Sequence, residues 1–137
     1  DLADLIDSRA KGREILEQSW LFGESVSPPV QNRIADSMVL HEHETGDVLN
    51  NLREDAVCVV ESGKIEQVRG GKITDVIGPR NFFGEERVLF GSKDEYSYRV
   101  VEPCKIYEIP QSVIMDVPIV MWKMLESFEF RKSAQTR

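Results

Sequence analysis

The chain has 137 residues and a formal charge of −7, with 41% hydrophobic and 30% charged side chains. This length suits one compact domain, and the composition excludes an intrinsically disordered chain because enough apolar residues are present to form a core. Its apolar runs are only a few residues long, which excludes a membrane span. The acidic balance disfavours direct binding of DNA or RNA, since a phosphate backbone would be repelled. We expect a cytoplasmic domain that binds neither nucleic acid nor membrane.

The N-terminal segment, residues 1–37, is predicted to be helical. Apolar side chains recur at helical spacing over 15–20 and again over 30–38. Gly12 is expected to separate two helical pieces, Gly23 to end one, and Pro28 to open the next. The pattern therefore predicts two or three short helices before the first strand.

The middle segment, residues 38–110, is predicted to be all β. The candidate strands share β-branched, aromatic or alternating residues and cover 38–44, 48–51, 56–61, 64–69, 72–77 and 96–109. Glycine-rich turns separate them, and Gly70-Gly71 suits a two-residue hairpin. Pro103 is expected to break the last run into two strands. Many short strands at this spacing favour a barrel or sandwich.

The C-terminal segment, residues 111–137, is predicted to contain one long helix that begins at Pro118. Its main apolar stripe is formed by Met121, Met124, Leu125 and Phe128. Trp122 and Phe130 lie to the side of this stripe. Two interpretations remain open: the helix packs on the barrel alone, or it also meets a partner helix, which would give a homodimer.

Cysteine and histidine placement argues against a metal site. Cys58 and Cys104 lie far apart in apolar or β-branched surroundings, which favours two buried free thiols over a disulfide or zinc ligands. His41 and His43 stand at i and i+2, so they share one face of a strand and could hold a metal or haem. The alternation of this segment favours solvent-facing histidines instead.

One segment resembles a binding site, the run FFGEERVL at 82–89. Gly84 permits a close approach of a ligand to the backbone. Free N–H groups at the start of a short helix attract an anion. Glu85 and Glu86 can accept hydrogen bonds from hydroxyl groups such as those of a ribose. A purely structural Gly-Glu turn is the alternative.

The order of these features resembles the cyclic nucleotide-binding domain family over nearly the whole chain. The resemblance rests on an opening helix at 15–22, a glycine-acid turn at 45–47, a strand turn at 59–65, the run NFFGE at 81–85 and a helix at 119–131. It implies a mainly β fold, a jelly-roll-like β-roll with N-terminal helices and a long C-terminal helix. It also implies a phosphate-binding cassette, which we place at residues 82–96.

The family's cassette holds the cyclic phosphate with backbone N–H groups and an arginine, while a glutamate accepts the ribose 2′-hydroxyl. By this resemblance, Gly84 and Glu85 are present. Counted from Gly84 without a gap, the arginine position falls on Asp94, and the small residues that follow it are Glu95 and Tyr96. The sequence therefore departs from the family where the phosphate charge is neutralised.

This departure has an energetic consequence. An arginine–phosphate pair is worth about 1.5–3 kcal/mol, and an aspartate adds repulsion. A total loss of roughly 3–4 kcal/mol would weaken binding about 100- to 1000-fold. Arg87, Arg99 or Lys93 could substitute for the arginine. The candidate ligand-binding residues are Phe83, Gly84, Glu85, Glu86, Arg87, Asp94, Glu95, Tyr96 and Arg99.

The favoured function is a regulatory ligand-sensing domain with a divergent pocket, which passes a signal through the cassette and C-terminal helix to an output domain outside this chain. A first alternative is a true cAMP or cGMP sensor that uses Arg87 or Arg99. A second is an interaction or dimerisation scaffold whose pocket is filled by Tyr96 or Tyr98. No catalytic triad order, P-loop or GxGxxG motif is present, so we expect no enzyme. Apart from a cyclic nucleotide, no cofactor is implied.

Overall fold

The computed structural model describes residues 2–24, 26–49, 55–90 and 96–135. Within these ranges the chain forms five helices and five strands. The helices are α1 (Leu2–Gln18), α2 (Pro28–Ser37), α3 (Glu85–Phe90), α4 (Gln111–Ile114) and α5 (Pro118–Gln135). The strands are β1 (Val39–His43), β2 (Ala56–Arg69), β3 (Lys72–Ile77), β4 (Phe82–Phe83) and β5 (Ser97–Pro110). The predicted mainly β class with flanking helices is confirmed.

Gly12 does not divide the N-terminal helical segment, contrary to the prediction. Helix α1 runs through it, because the missing side chain lets α1 approach the end of α2. A Cβ at Gly12 would lie 2.7 Å from Cε of Met38 and 3.6 Å from Cβ of Ala35. The glycine is therefore a site of close helix packing, which overrides its poor helix propensity.

The strands form one antiparallel sheet in the order β1-β5-β2-β3, with β4 paired to β2. Two pairs of predicted strands are continuous in the structure: β2 spans 56–69 and β5 spans 97–110. The expected break at Pro103 is wrong. The β2–β5 register shifts beside it, and Gly63, at φ +89°, sits so close that a Cβ would overlap the Pro103 carbonyl oxygen. This irregularity accommodates the proline inside a paired strand.

Strand β2 separates two apolar cores. Val57 and Val59 belong to the cluster under the helices, whereas Cys58 and Val60 belong to the cluster inside the sheet. Successive side chains of a strand point to opposite faces, so a strand buried on both sides reads as a continuous apolar run. This arrangement anchors α5, whose Met124 is fully buried in the helix-side cluster.

The expectation of solvent-facing histidines is wrong. His41 pairs in register with Ile106 and His43 with Cys104, so both imidazoles lie on the face that carries those buried residues. Their side chains are 32% and 22% exposed, and the Nε2 atom of each is buried. His41 Nε2 lies 3.6 Å from Oε1 of the buried Glu108.

Both cysteines are buried and free, as predicted. Among the residues that the structure describes, no group of three or more histidine, cysteine or acidic side chains is arranged to hold a metal ion. In the same ranges, no helix is both long and apolar enough to cross a membrane.

Candidate functional site

The candidate site is a small cavity between the cassette, the far end of β2, the start of β5 and the C-terminal half of α5. Its volume is about 20 Å³. This is room for about one water molecule. The side chains and backbone that line it are those of Gln67, Gly84, Glu85, Glu86, Tyr96, Tyr98, Phe128 and Arg131.

The cassette is positioned by a two-residue strand and a backward-bending glycine. Phe82 and Phe83 of β4 pair with Val59 and Cys58 of β2, which fixes the cassette to the central strand. Gly84 follows at φ +91°, a conformation that favours glycine. A Cβ at this position would lie 3.0 Å from the carbonyl oxygen of Ala56, the first residue of β2. The turn directs the chain into α3, whose first residue lines the cavity.

Arg131 of α5 joins the C-terminal helix to the cassette. Its Nη1 donates a hydrogen bond of 2.8 Å to Oε1 of Glu85, and its Nη2 donates one of 3.0 Å to the carbonyl oxygen of Phe82. The guanidinium also lies 4.9 Å from the centroid of the Phe82 ring, and its Nε lies 3.8 Å from Oδ2 of Asp75. We call this set of contacts the Arg131 latch. It is largely sheltered, since the Arg131 and Glu85 side chains are only 20% and 8% exposed.

The inner wall of the cavity is aromatic and polar. The rings of Phe83 and Tyr98 contact each other at a centroid distance of 4.4 Å. The amide of the buried Gln67 donates to the Tyr98 hydroxyl at 3.3 Å, and the Gln67 Oε1 accepts from Thr74 at 3.0 Å. These bonds orient the Gln67 amide and the Tyr98 ring beside the cavity.

A second contact between α5 and the cassette is aromatic. Phe128 meets Phe90, the last residue of α3, edge to face at a centroid distance of 5.0 Å. Because Phe128 also lines the cavity, the helix that carries Arg131 forms one of the cavity walls.

The structure brings Gly84, Glu85, Glu86 and Tyr96 together at the cavity. Phe83 lies behind Tyr98 rather than on the cavity surface. Asp94 and Glu95, like Lys93, lie outside the described residues.

The two arginines considered as phosphate partners, Arg87 and Arg99, are not among the described residues that line the cavity. Arg99 pairs in register with Glu66 on the outer face of the sheet and forms an ion pair with it. Arg87 lies near Cys58: burial raises the pKa of the Cys58 thiol, Glu108 raises it further, and the positive charge of Arg87 opposes both.

Sequence reasoning missed Arg131, Phe128 and Gln67 as site residues. Phe128 was assigned to the apolar stripe of α5, and Arg131 stands three residues further along the same face. The position of the basic Arg131 directly after the apolar stripe could have indicated a contact between α5 and the acidic residues of the cassette. Gln67 carried no signal, because an inward-facing amide on an alternating strand reads as a surface residue.

Comparison with known proteins agrees with this geometry. Residues 36–117, more than half of the chain, match the model of the cyclic nucleotide-binding domain. The chain belongs to this family of regulatory ligand-binding domains. No match was found among curated protein sequences.

Solved structures share the β-roll with its flanking helices. PfPKA-R bound to cAMP is similar with a TM-score of 0.86 and 14% identity, over 96% of this chain and 48% of that one. The regulatory subunit of a cAMP-independent protein kinase A from Trypanosoma brucei is similar with a TM-score of 0.81 and 15% identity, over 94% and 50%. The corresponding subunit from Trypanosoma cruzi, bound to guanosine, has a TM-score of 0.73 and 13% identity, over 84% and 42%. The chain thus spans about half the length of these proteins, and the likeness concerns the fold.

Proposed function

We propose that this domain is a regulatory ligand sensor whose pocket lies at the cassette and whose signal passes through α5 to an output domain outside this chain. The observation that carries the proposal is the Arg131 latch. The Arg131 guanidinium forms an ion pair with Glu85, the side chain expected to bind the ligand. Ligand binding at Glu85 would therefore affect the position of α5.

The latch provides a physical route for the signal. A ligand that takes Oε1 of Glu85 replaces Arg131 as its partner, and a ligand that enlarges the cavity on the side of α5 displaces Phe128. Both residues belong to α5, so a ligand binds better when α5 has moved away. This difference in affinity between two states is what a ligand needs to shift their populations.

The pocket is divergent from that of a cAMP sensor. The described cationic side chain that lines it, Arg131, is already paired with Glu85, and Arg99 faces the other side of the sheet. Proteins of similar fold include a protein kinase A regulatory subunit described as cAMP-independent and another bound to guanosine. These precedents support a role as a sensor of ligands other than cAMP, while a true cAMP or cGMP sensor that uses Arg87 or Arg99 gains no support from their positions.

The experiment compares backbone hydrogen exchange in the wild-type chain, Arg131→Gln and Arg99→Gln. Arg131→Gln should speed exchange in the C-terminal half of α5 and also in α3, because the latch holds the two helices together. Arg99→Gln removes an arginine of the exposed outer face and should change neither helix. Faster exchange in α5 alone, with α3 unchanged, would contradict the coupling on which the proposal depends.

A scaffold role is the second candidate, and the small volume of the cavity favours it. A domain whose pocket is filled by its own side chains can still present a surface. Trp122 and Phe130 on α5 are 65% and 76% exposed. Such a scaffold would pair through this face, and the proposed homodimer through α5 would then not depend on a ligand.

The remaining parts of the proposal follow from the family. We infer a binding role and not a catalytic one, a small molecule as the primary partner, and a cytoplasmic location. We also retain the division into a helical segment 1–37, a β-roll 38–110 and a C-terminal helical segment 111–137 within one domain. The hydrogen-exchange titration with nucleosides and cyclic nucleotides, described at the end of the Discussion, addresses the small-molecule partner.

A further inference from the structure

We propose that strand β1 is a self-association edge, which pairs antiparallel with β1 of a second copy of this chain about a two-fold axis at His41. This inference does not depend on the ligand of the cassette pocket, and it places the contact on a different surface from the exposed face of α5. It rests on three features of β1: an open edge, exposed apolar residues beside a groove, and the charges around that groove.

Strand β1 stands at the edge of the sheet. In the described part of the chain it pairs with β5 alone, so one row of its backbone N–H and C=O groups points away from the sheet. Such a row is a template for another strand. The opposite edge, β3, is partly occupied, since the Asp75 carboxylate accepts a 2.8 Å hydrogen bond from the N–H of Val76 and also lies 3.8 Å from Arg131. Of the two edges, β1 is therefore the one suited to pairing.

A groove of about 370 Å³ lies beside β1, between α1, the end of α2 and the sheet. We call it the β1 groove. Large apolar side chains of β1 are exposed next to it, those of Val39 and Leu40, and a strand laid along β1 would remove part of their surface from water. The floor of the groove is apolar and its rim is charged, and its lining includes Met38, Leu40 and Tyr107 with Arg9, Lys11 and Asp36.

Pairing of β1 with itself is complementary in charge. A two-fold axis at His41 pairs all five residues of the strand and sets Leu40 opposite Glu42 of the second copy. Opposite residues of an antiparallel pair have Cβ atoms about 4.5–5.5 Å apart, so this Glu42 reaches the groove that Leu40 and Lys11 line. Arg9 is bound to Asp36 at 3.0 Å, which leaves Lys11 as the cation that suits Glu42. The symmetry forms this ion pair twice.

The expected association is weak. Two strands of five residues with their grooves bury less than the roughly 1,200 Å² of a stable interface, and each copy carries a formal charge of −7. We expect a dissociation constant on the order of 100 µM at about 0.15 M salt, which screens the net charge beyond about 8 Å.

The test is sedimentation of the 137-residue chain and its charge variants from about 10 µM to about 1 mM protein. Lys11→Glu and Glu42→Lys should each weaken self-association about 5- to 10-fold, and the double variant should restore it, because the swap re-forms the pair. If net charge alone mattered, Lys11→Glu would weaken association and Glu42→Lys would strengthen it. The matched controls are Lys64→Glu and Glu102→Lys, exposed cross-strand neighbours that make the same charge changes and should show only the effect of net charge.

Hydrogen exchange locates the contact. Raising the protein concentration over the same range should slow exchange within 39–43 and leave 118–135 unchanged. A chain that stays monomeric at about 1 mM would overturn the inference and leave the β1 edge to a strand of another protein. A dimer that protects α5 instead, or that Trp122→Lys abolishes while the Lys11 and Glu42 variants keep it, would also overturn it.

Discussion

The Arg131 latch can be measured by a double-mutant cycle of Arg131→Ala and Glu85→Ala. Hydrogen bonds to charged groups contribute about 1.5–3 kcal/mol, and removal of one partner of a fully buried ion pair costs about 3–5 kcal/mol. Because the Arg131 side chain is 20% exposed, water partly compensates its loss. We expect Arg131→Ala to lower the free energy of unfolding by about 2–3 kcal/mol, and the pair to show a coupling energy of about 1–2 kcal/mol.

The assay is urea unfolding of the wild type, both single variants and the double variant. The matched control is the Arg99–Glu66 pair, in which the arginine is 55% exposed, and an exposed pair of this kind contributes only about 0.2–1 kcal/mol. The coupling of the latch should exceed that of the control and should persist at high salt. A coupling energy no larger than the control's would refute the reasoning, since the latch would then be a surface contact.

Two further predictions concern the sheet. Gly63→Ala should destabilise the domain by about 3 kcal/mol or more in thermal or urea unfolding, because the new Cβ overlaps Pro103, whereas Gly70→Ala has a similar positive φ in open space and should cost only about 1 kcal/mol. Equal losses of unfolding free energy in the two variants would mean that the backbone around Gly63 and Pro103 shifts to accommodate the new Cβ. Burial raises the pKa of Cys58 above its ordinary value of 9.0, so the folded protein keeps this proton while the unfolded chain loses it. The free energy of unfolding should therefore fall as the pH rises above about 9, by up to about 1.4 kcal/mol per pH unit, and Cys58→Ala should flatten this slope. A slope that the substitution leaves unchanged would assign the effect to other groups.

The class of the fold was predictable from the sequence because helices and tight turns depend on residues that are close in sequence. The helical spacing of α5 and the glycine turns of the sheet both describe interactions between residues close in sequence. Continuity of β2 and β5 was missed because it depends on a distant contact, the fit of Gly63 against Pro103. Gly12 was misread for the same reason, since its function is to let α2 approach.

Only the part of the candidate site that is formed by consecutive residues was predictable from the sequence. The run at 82–89 located Gly84 and the two glutamates, which lie at the cavity as neighbours in sequence. Arg131 stands 46 residues from its partner Glu85, and no periodicity connects the two. Likewise, the alternating pattern around His41 predicted that His41 and His43 share one face of the strand. It did not predict whether this face points to solvent or to the core, because that depends on the pairing of β1 with β5.

The central claim is that occupancy of the cassette pocket changes the state of α5. The most direct measurement is hydrogen exchange of the whole chain during titration with adenosine, guanosine, cAMP and cGMP. The account predicts that any of these compounds that binds alters exchange in 85–90 and in the C-terminal half of α5 with the same midpoint. Binding that changes exchange in 85–90 while α5 stays unchanged would contradict the claim.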